Sequence, residues 1–370
     1  MKILQVVPEM RAGGVEVEAL IVARGIREHG HVSLLAAAND NMLSGEQGIG
    51  FYRLNLKSKN PLVILYNGLR LARLALREKI SLFHVRSRAP AWSVLLASRL
   101  SGIPFIGTWH STFGIDRFGL KKIYNGIMAR GCYVISISGF ITRHILDNYS
   151  VPPEKVIQID RGIDLSKFTP AHKPAITRPD LGLPEGVILM GSLGRISSSW
   201  KGFDVLVAAL PLLPGHMHLA IAGSDPKNRK MELIAQAERL GVSNRLHFLA
   251  HLPSVLDFIS LCDAGVSGVV KGEAFGRTAV EFQAMGKPFF GSDLGAFKEN
   301  ISYGALCAPG NPQDFAEKIQ AFFETERKLG HEVMAAHRQS ACDFVRENYN
   351  QDVMVERTLE LYRKVLGRRS

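Results

Sequence analysis

Short apolar runs alternating with longer helix-forming stretches recur through both halves of this chain, and no other feature limits its fold as tightly. The runs begin at Lys2, Val32, Leu82, Pro104, Tyr133 and Val156, and again at Val187, His218, Leu246 and Pro288. Each is only a few residues long and is bounded by Gly, Pro or polar residues. A βαβα order of this kind predicts doubly wound α/β sheets, one in each half and facing one another. At 370 residues the chain has room for two such domains, each with its own core. The Pro-rich and polar stretch Ala171–Pro184 reads as the linker. The first domain is accordingly expected over 1–172 and the second over 183–349, followed over 350–370 by an amphipathic helix carrying Val353, Val355, Leu359, Leu361, Tyr362 and Leu366.

In an open parallel sheet ligands bind beyond the carboxyl ends of the strands, so the residues that follow each run carry the chemistry. After the first run, Gly13-Gly14 precedes a helix from about Val15 to Glu28, and such a pair lets a backbone approach a ligand closely. It is not a dinucleotide fingerprint, because G-x-G-x-x-G is absent. The run at Leu82 ends in His84, Arg86 and Arg88, and the run at Pro104 ends in His110. The run at Val187 delivers Gly194-Arg195, with Lys201 six positions further on. Two cations this close can neutralise a diphosphate through charge-assisted hydrogen bonds.

Glu273-Ala-Phe-Gly-Arg-Thr-Ala-Val-Glu281 is the most informative stretch. Ala279, Val280, Phe282 and Ala284 continue to the stop signal Gly286-Lys287-Pro288, so a helix starts near Gly276 or Arg277. Glu273 then lies in the loop before the first turn and Glu281 in the second turn. Free N–H groups around Phe275, Gly276 and Arg277 can hold phosphates, while acceptor-only carboxylates on either side hold sugar hydroxyls. A surface loop acid and an internal Glu–Arg pair are the structural alternative.

Taken together, these motifs resemble the donor site of retaining GT-B glycosyltransferases of family four, in the family's order and over most of the chain. The resemblance implies two Rossmann-like domains facing a central cleft, and a nucleotide diphosphate sugar as co-substrate rather than a bound cofactor. It implies that Glu273 faces the donor sugar and Glu281 holds the ribose. Gly194-Arg195-Ile196 and Trp200-Lys201-Gly202 match the diphosphate positions, and Gly13-Gly14 the loop beside donor phosphate and acceptor. His110 matches a histidine set against the donor sugar, and the residues Leu249 to Leu252 match a loop near the base. The final helix is implied to cross back to the first domain. Many members carry Asn where this chain has Arg161, before Gly162-Ile163-Asp164. Arg at that position resembles a proteobacterial subset acting in lipopolysaccharide core assembly, which makes a lipid-linked or lipopolysaccharide-core glycan the implied acceptor.

Charge bears on that acceptor. Residues 1–175 hold 23 Lys+Arg against 12 Asp+Glu, whereas 176–370 hold 22 of each. A chain with one basic half is drawn to anionic surfaces. A helix over 62–79 has apolar residues at Leu62, Leu65, Leu69, Ala72 and Leu76 beside Arg70, Arg73 and Arg77. This is how a helix lies in an anionic membrane interface, and equally how one packs on a sheet with solvated arginines. Phe118–Gly131 reads as a second basic amphipathic helix, and the basic end Lys364, Arg368 and Arg369 of a final helix that crosses back would lie near the basic half; the role of Ser197–Ser199 stays open. RNA-binding motifs with interleaved aromatics are missing, which argues against nucleic acid as a partner. With no signal peptide pattern and no apolar run of spanning length, a cytoplasmic protein, peripheral on the inner membrane, is expected. The four scattered cysteines read as reduced core thiols, and the absence of a D-x-D motif favours a metal-independent reaction. The alternatives are a GT-B epimerase or phosphorylase, or a basic membrane- or nucleic-acid-binding protein without catalysis; the intact set Arg195, Lys201, Glu273 and Glu281 speaks against the last.

Overall fold

A computed structural model of the chain describes residues 1–11, 13–43, 46–114, 119–196, 199–249, 252 and 254–367. The chain divides into two compact units, Met1–Gly162 with Gln351–Ser370, and Ile163–Asn350. In the first unit seven strands, β1 (Lys2–Val6), β2 (Val32–Ala37), β3 (Gly50–Arg53), β4 (Leu82–Val85), β5 (Phe105–Trp109), β6 (Val134–Ser136) and β7 (Val156–Gln158), form one parallel sheet. Their order is β3-β2-β1-β4-β5-β6-β7, so the winding reverses between β1 and β4. Ile3, Leu4 and Val6 are fully buried, as expected of a strand covered on both faces.

The second unit repeats the plan with β8 (Ile188–Leu193), β9 (Met217–Ala222), β10 (Leu246–Leu249), β11 (Ala264–Ser267), β12 (Phe289–Ser292) and β13 (Gly304–Cys307). The order β10-β9-β8-β11-β12-β13 reverses between β8 and β11, and every pairing is parallel. Both sheets are therefore doubly wound, as the alternation predicts.

The last helix, Gln351–Gly367, packs in the first unit, where Val355, Leu359, Tyr362 and Val365 share a core with Val22 and Ile26 of the helix Gly14–Glu28. The two helices meet at Gly25, where a Cβ would stand 2.2 Å from Val355 Cγ1. The Tyr362 hydroxyl is 2.6 Å from His84 Nδ1, and His84 Nε2 is 2.6 Å from Thr108 Oγ1. His84 is thus a core histidine with both ring nitrogens in use.

The helix Pro61–Arg77 buries Leu71, Ala72, Leu74 and Ala75. Leu62, Leu65, Tyr66, Leu69 and Leu76 are exposed, Leu62 to 74% and Leu76 to 60%. Most of the apolar stripe read from the sequence therefore faces outward, and the side that packs, against the helix Arg88–Ser101, is the neighbouring one. The second basic helix is shorter than expected, Leu120–Gly126 followed by a tight turn Ile127–Arg130, and Phe118 lies outside the described residues. The stretch Ala171–Pro184 lies within the second unit, where Arg178 donates to Leu261 O, Val187 O and Asp263. Cys262, Cys307 and Cys342 are buried, but Cys132 is exposed, which corrects the expectation of four core thiols. Among the described residues no helix is long and apolar enough to cross a membrane.

Candidate functional site

The sequence-derived site residues fall into two groups, one in each unit. In the second unit they gather beyond the carboxyl ends of β8, β11 and β12, around the reversal of strand order where open sheets bind ligands. Lys201 Nζ donates to Glu273 Oε2 at 2.9 Å and lies 4.2 Å from the Trp200 ring centroid. The next residue, Gly202, has φ of +64°, and a Cβ there would fall 1.6 Å from the Gly268 carbonyl oxygen. No other residue fits, so the Trp-Lys-Gly order follows from the backbone as well as from charge. Glu273 is held from three sides. Its Oε1 accepts from the Ala274 N–H at 3.2 Å, its carbonyl accepts from Ala296 N at 2.9 Å, and its backbone forms a bridge with Gly295.

The helix Arg277–Ala284 begins as predicted, with Gly276 at its N-cap in the left-handed region at φ +76°. The N–H groups of Gly276, Arg277 and Thr278 precede any intrahelical acceptor, while Ala279 N already donates to Gly276 O at 2.9 Å. Glu281 is only 5% exposed, and Arg277 Nε donates to its Oε1 at 2.6 Å. Burial pushes the Glu281 carboxyl above its ordinary value, and Arg277 opposes that shift. Phe275 is buried with its ring 5.5 Å from Tyr349 and its carbonyl accepting from Asn300, so any ligand contact it makes is through its backbone. Arg195 is exposed and forms no ion pair among the described residues. Of the expected base-side loop, 250–251 lie outside the described residues, as do Ser197, Ser198, Arg368 and Arg369.

In the first unit, Gly13 caps the helix Gly14–Glu28 in an extended conformation, φ −162°, that any residue can adopt. A Cβ would stand 2.5 Å from Glu16 Oε2 at Gly13 and 3.2 Å from Arg161 Nη1 at Gly14. Arg161 belongs to a buried cluster that sequence reasoning missed in part. Its Nε donates to Glu18 Oε2 at 2.6 Å and its Nη2 is 2.7 Å from His110 Nδ1. Arg86 donates to Glu18 Oε1 at 2.5 Å and, through Nε, to Gln5 Oε1 at 2.9 Å. Burial pulls His110 down to about 3, with Glu18 opposing and Arg161 and Arg86 assisting, so the ring is neutral at ordinary pH. For Glu18 burial is the largest influence and raises it, but His110, Arg161 and Arg86 together outweigh it and hold the carboxyl at about 2. No spacing rule links positions 18, 86, 110 and 161, and only their places after β1, β4, β5 and β7 hinted that they meet. Among the described residues no group of three or more His, Cys, Asp or Glu is placed to share a metal ion.

Two doubly wound parallel sheets, with glycine turns and basic side chains at both reversals, define a GT-B protein. Within that class the chain belongs to the glycosyltransferases of family 4 and group 1. Residues 12–167 match the family described as Glycosyltransferase Family 4 and residues 175–339 match Glycosyl transferases group 1. A glycosyltransferase from Rickettsia africae is 30% identical, with 99% of this chain and 98% of that one covered and a TM-score of 0.88. The complex of Anabaena HepE with UDP-glucose matches at TM-score 0.83 and 21% identity, covering 98% of this chain and 99% of that one, a likeness of fold alone. A D-inositol 3-phosphate glycosyltransferase of Jonesia denitrificans is 32% identical over 230 residues, 57% of this chain and 53% of that protein. The chain spans about half the length of the curated relatives it matches.

Proposed function

We propose that the protein transfers a sugar from a nucleotide diphosphate sugar to a glycan acceptor with retention at the anomeric carbon. The observation that carries this reading is the pairing of Lys201 with Glu273 at 2.9 Å, beside a helix N-terminus whose second turn presents Glu281. An ammonium has three donors, so Lys201 can keep Glu273 and still take a phosphate oxygen. Arg195, Lys201 and the first-turn N–H groups at Gly276 and Arg277 hold the diphosphate; Glu273 holds the sugar and Glu281 the ribose. As the anomeric C–O bond breaks, its electron pair leaves on the diphosphate oxygen. The acceptor hydroxyl forms the new bond on the same face and gives its proton to that oxygen, so no protein nucleophile enters. Catalysis is then positioning and stabilisation of the departing charge. The UDP-glucose complex of the similar Anabaena fold supports a uridine nucleotide and a hexose as the first donor to try.

The acceptor in this reading is lipid-linked, a glycolipid or lipopolysaccharide core, met at an anionic membrane surface. The outward leucines of the helix Pro61–Arg77 support it, together with a cavity of about 310 Å³ lined by Tyr52, Tyr66, Arg70, Arg73 and Arg77. Flotation with phosphatidylglycerol vesicles, lost with phosphatidylcholine and in 1 M salt, is the expected result, since screening at that ionic strength reaches about 3 Å.

The donor is tested by melting temperature against UDP, GDP, ADP, CDP and their sugar conjugates, in wild type and Glu281→Ala. A nucleotide at a hundred times its Kd stabilises the native state by about 2.7 kcal/mol. One nucleotide raising the melting point of wild type and not of the variant is expected; no shift with any of them refutes the reading. The anomeric configuration of the product by NMR then decides retention.

A further inference from the structure

The cluster in the first unit carries information about a proton. Arg161 Nη2 lies 2.7 Å from His110 Nδ1, and a guanidinium only donates. Nδ1 must therefore accept. A neutral imidazole that accepts at Nδ1 carries its hydrogen on Nε2. His110 is 9% exposed, and its Nε2 is buried with no partner among the described residues, a donor held ready without an acceptor. Glu18 Oε2 is 3.7 Å from the same Nδ1 and 2.6 Å from Arg161 Nε, so the guanidinium stands between carboxylate and imidazole. We propose that Arg161, oriented by Glu18, is a positioning residue that fixes His110 as the Nε2–H tautomer, so that the ring is a hydrogen-bond donor and not a base at that nitrogen. Its effect on turnover rests on the transferase reading above; the tautomer does not.

The inserted arginine reverses what the histidine would otherwise be. Without it, Glu18 would accept the Nδ1–H directly and Nε2 would become a bare lone pair, the arrangement of a general base. The groups facing His110 are Glu18 from the helix Gly14–Glu28, Arg86 after β4 and Arg161 after β7. Behind them His84 is bonded to Tyr362 and Thr108, and Glu16 stands near Arg161. Of these, Arg161 and Arg86 depress the protonation of His110 and Glu18 favours it, so replacing Arg161 by an uncharged residue raises the pH at which the ring protonates.

The test is the imidazole nitrogen spectrum of the full chain labelled with ¹⁵N-histidine, with His110→Gln to assign the signals. Wild type is expected to show a pyrrole-type Nε2 and a pyridine-type Nδ1, unchanged from pH 8 to pH 5. Arg161→Met is expected to exchange the two types, while Arg161→Lys, which still donates, keeps them. In turnover of whichever nucleotide sugar stabilises the protein, Arg161→Met should lose about tenfold in kcat with KM little changed, the worth of one hydrogen bond. Part of that loss should return as pH falls, because an imidazolium regains the Nε2–H. A pyridine-type Nε2 in wild type overturns the proposal without any variant. So does a folded Arg161→Met with unaltered tautomer or unaltered kcat. Wild type that transfers no sugar overturns the transferase reading alone, because the tautomer is read without substrate.

Discussion

At the residue scale, burial of charge decides how the first unit responds to acid. His110 has its folded value at about 3, below the ordinary 6.5 of the unfolded chain. As pH falls from 6.5 the unfolded chain takes a proton that the folded one refuses, so stability is lost across that window. Glu18, at about 2 against 4.5, adds a second loss that begins only below 4.5. Between pH 6.5 and 4.5 the histidine therefore acts without the carboxylate. One proton bound by the unfolded state alone changes stability by about 1.4 kcal/mol per pH unit. Urea unfolding of wild type and His110→Gln at pH 7.5, 6.0 and 5.0 should show the variant's decline shallower by about that amount per unit. Buried His84, whose value is also depressed by burial, is present in both proteins and cancels in the comparison. Parallel slopes would mean that His110 is not held neutral.

At the element scale, the helix Pro61–Arg77 has two apolar sides, and only one of them is core. Leu71 is fully buried, whereas Leu65 is 49% exposed. Leu71→Ala is expected to cost about 2–5 kcal/mol through lost packing and a cavity. Leu65→Ser should leave stability within about 0.5 kcal/mol of wild type and weaken vesicle binding instead. Chemical denaturation and flotation of the two variants separate these roles, and a Leu65→Ser that destabilises as much as Leu71→Ala would refute the division. This helix also marks where the sequence was hard to read. Periodicity identified a helix and an apolar stripe at Leu62, Leu65, Leu69, Ala72 and Leu76, but a second set at Leu71, Leu74 and Ala75 competes for the core and takes Ala72 with it. Strands β3, β11 and β13 escaped because four residues that include Gly50, Gly265 or Gly304 carry no alternation signal. The loops around Lys201 and Glu273 were legible because backbone and chemistry demand particular residues there: Gly202 and Gly276 for left-handed turns, Lys201 and Glu273 for charge. The Glu18 cluster was not, since pairing across 143 positions of chain leaves no local trace.

At the scale of the whole molecule, the chain returns at its end to complete the unit with which it began. Met354, Val355, Leu359, Leu361, Tyr362 and Val365 are each at most 5% exposed and lie in the core that also holds Ile3, Val22, Ile26 and Leu82. Removing one buried aliphatic side chain typically costs about 2–5 kcal/mol, and a domain's whole stability is about 5–15 kcal/mol. Cutting the chain after Asn350 removes all six and leaves His84 Nδ1 without the Tyr362 hydroxyl. The first unit is therefore expected to unfold on truncation. The core of the second unit, built from residues such as Met190, Phe203, Leu219, Phe290 and Phe315, draws on nothing beyond the cut. The truncated protein should lose roughly half its protected amides in hydrogen exchange while keeping those of β8 to β13, and the nucleotide that stabilises wild type should still protect them. Tyr362→Phe is the milder form of the same experiment. It keeps the packing and removes one buried hydrogen bond, so a loss of about 1–3 kcal/mol confined to the first unit is expected. Equal deprotection of both sheets in either variant would mean that the two units fold as one, and that nucleotide binding in the second depends on the first.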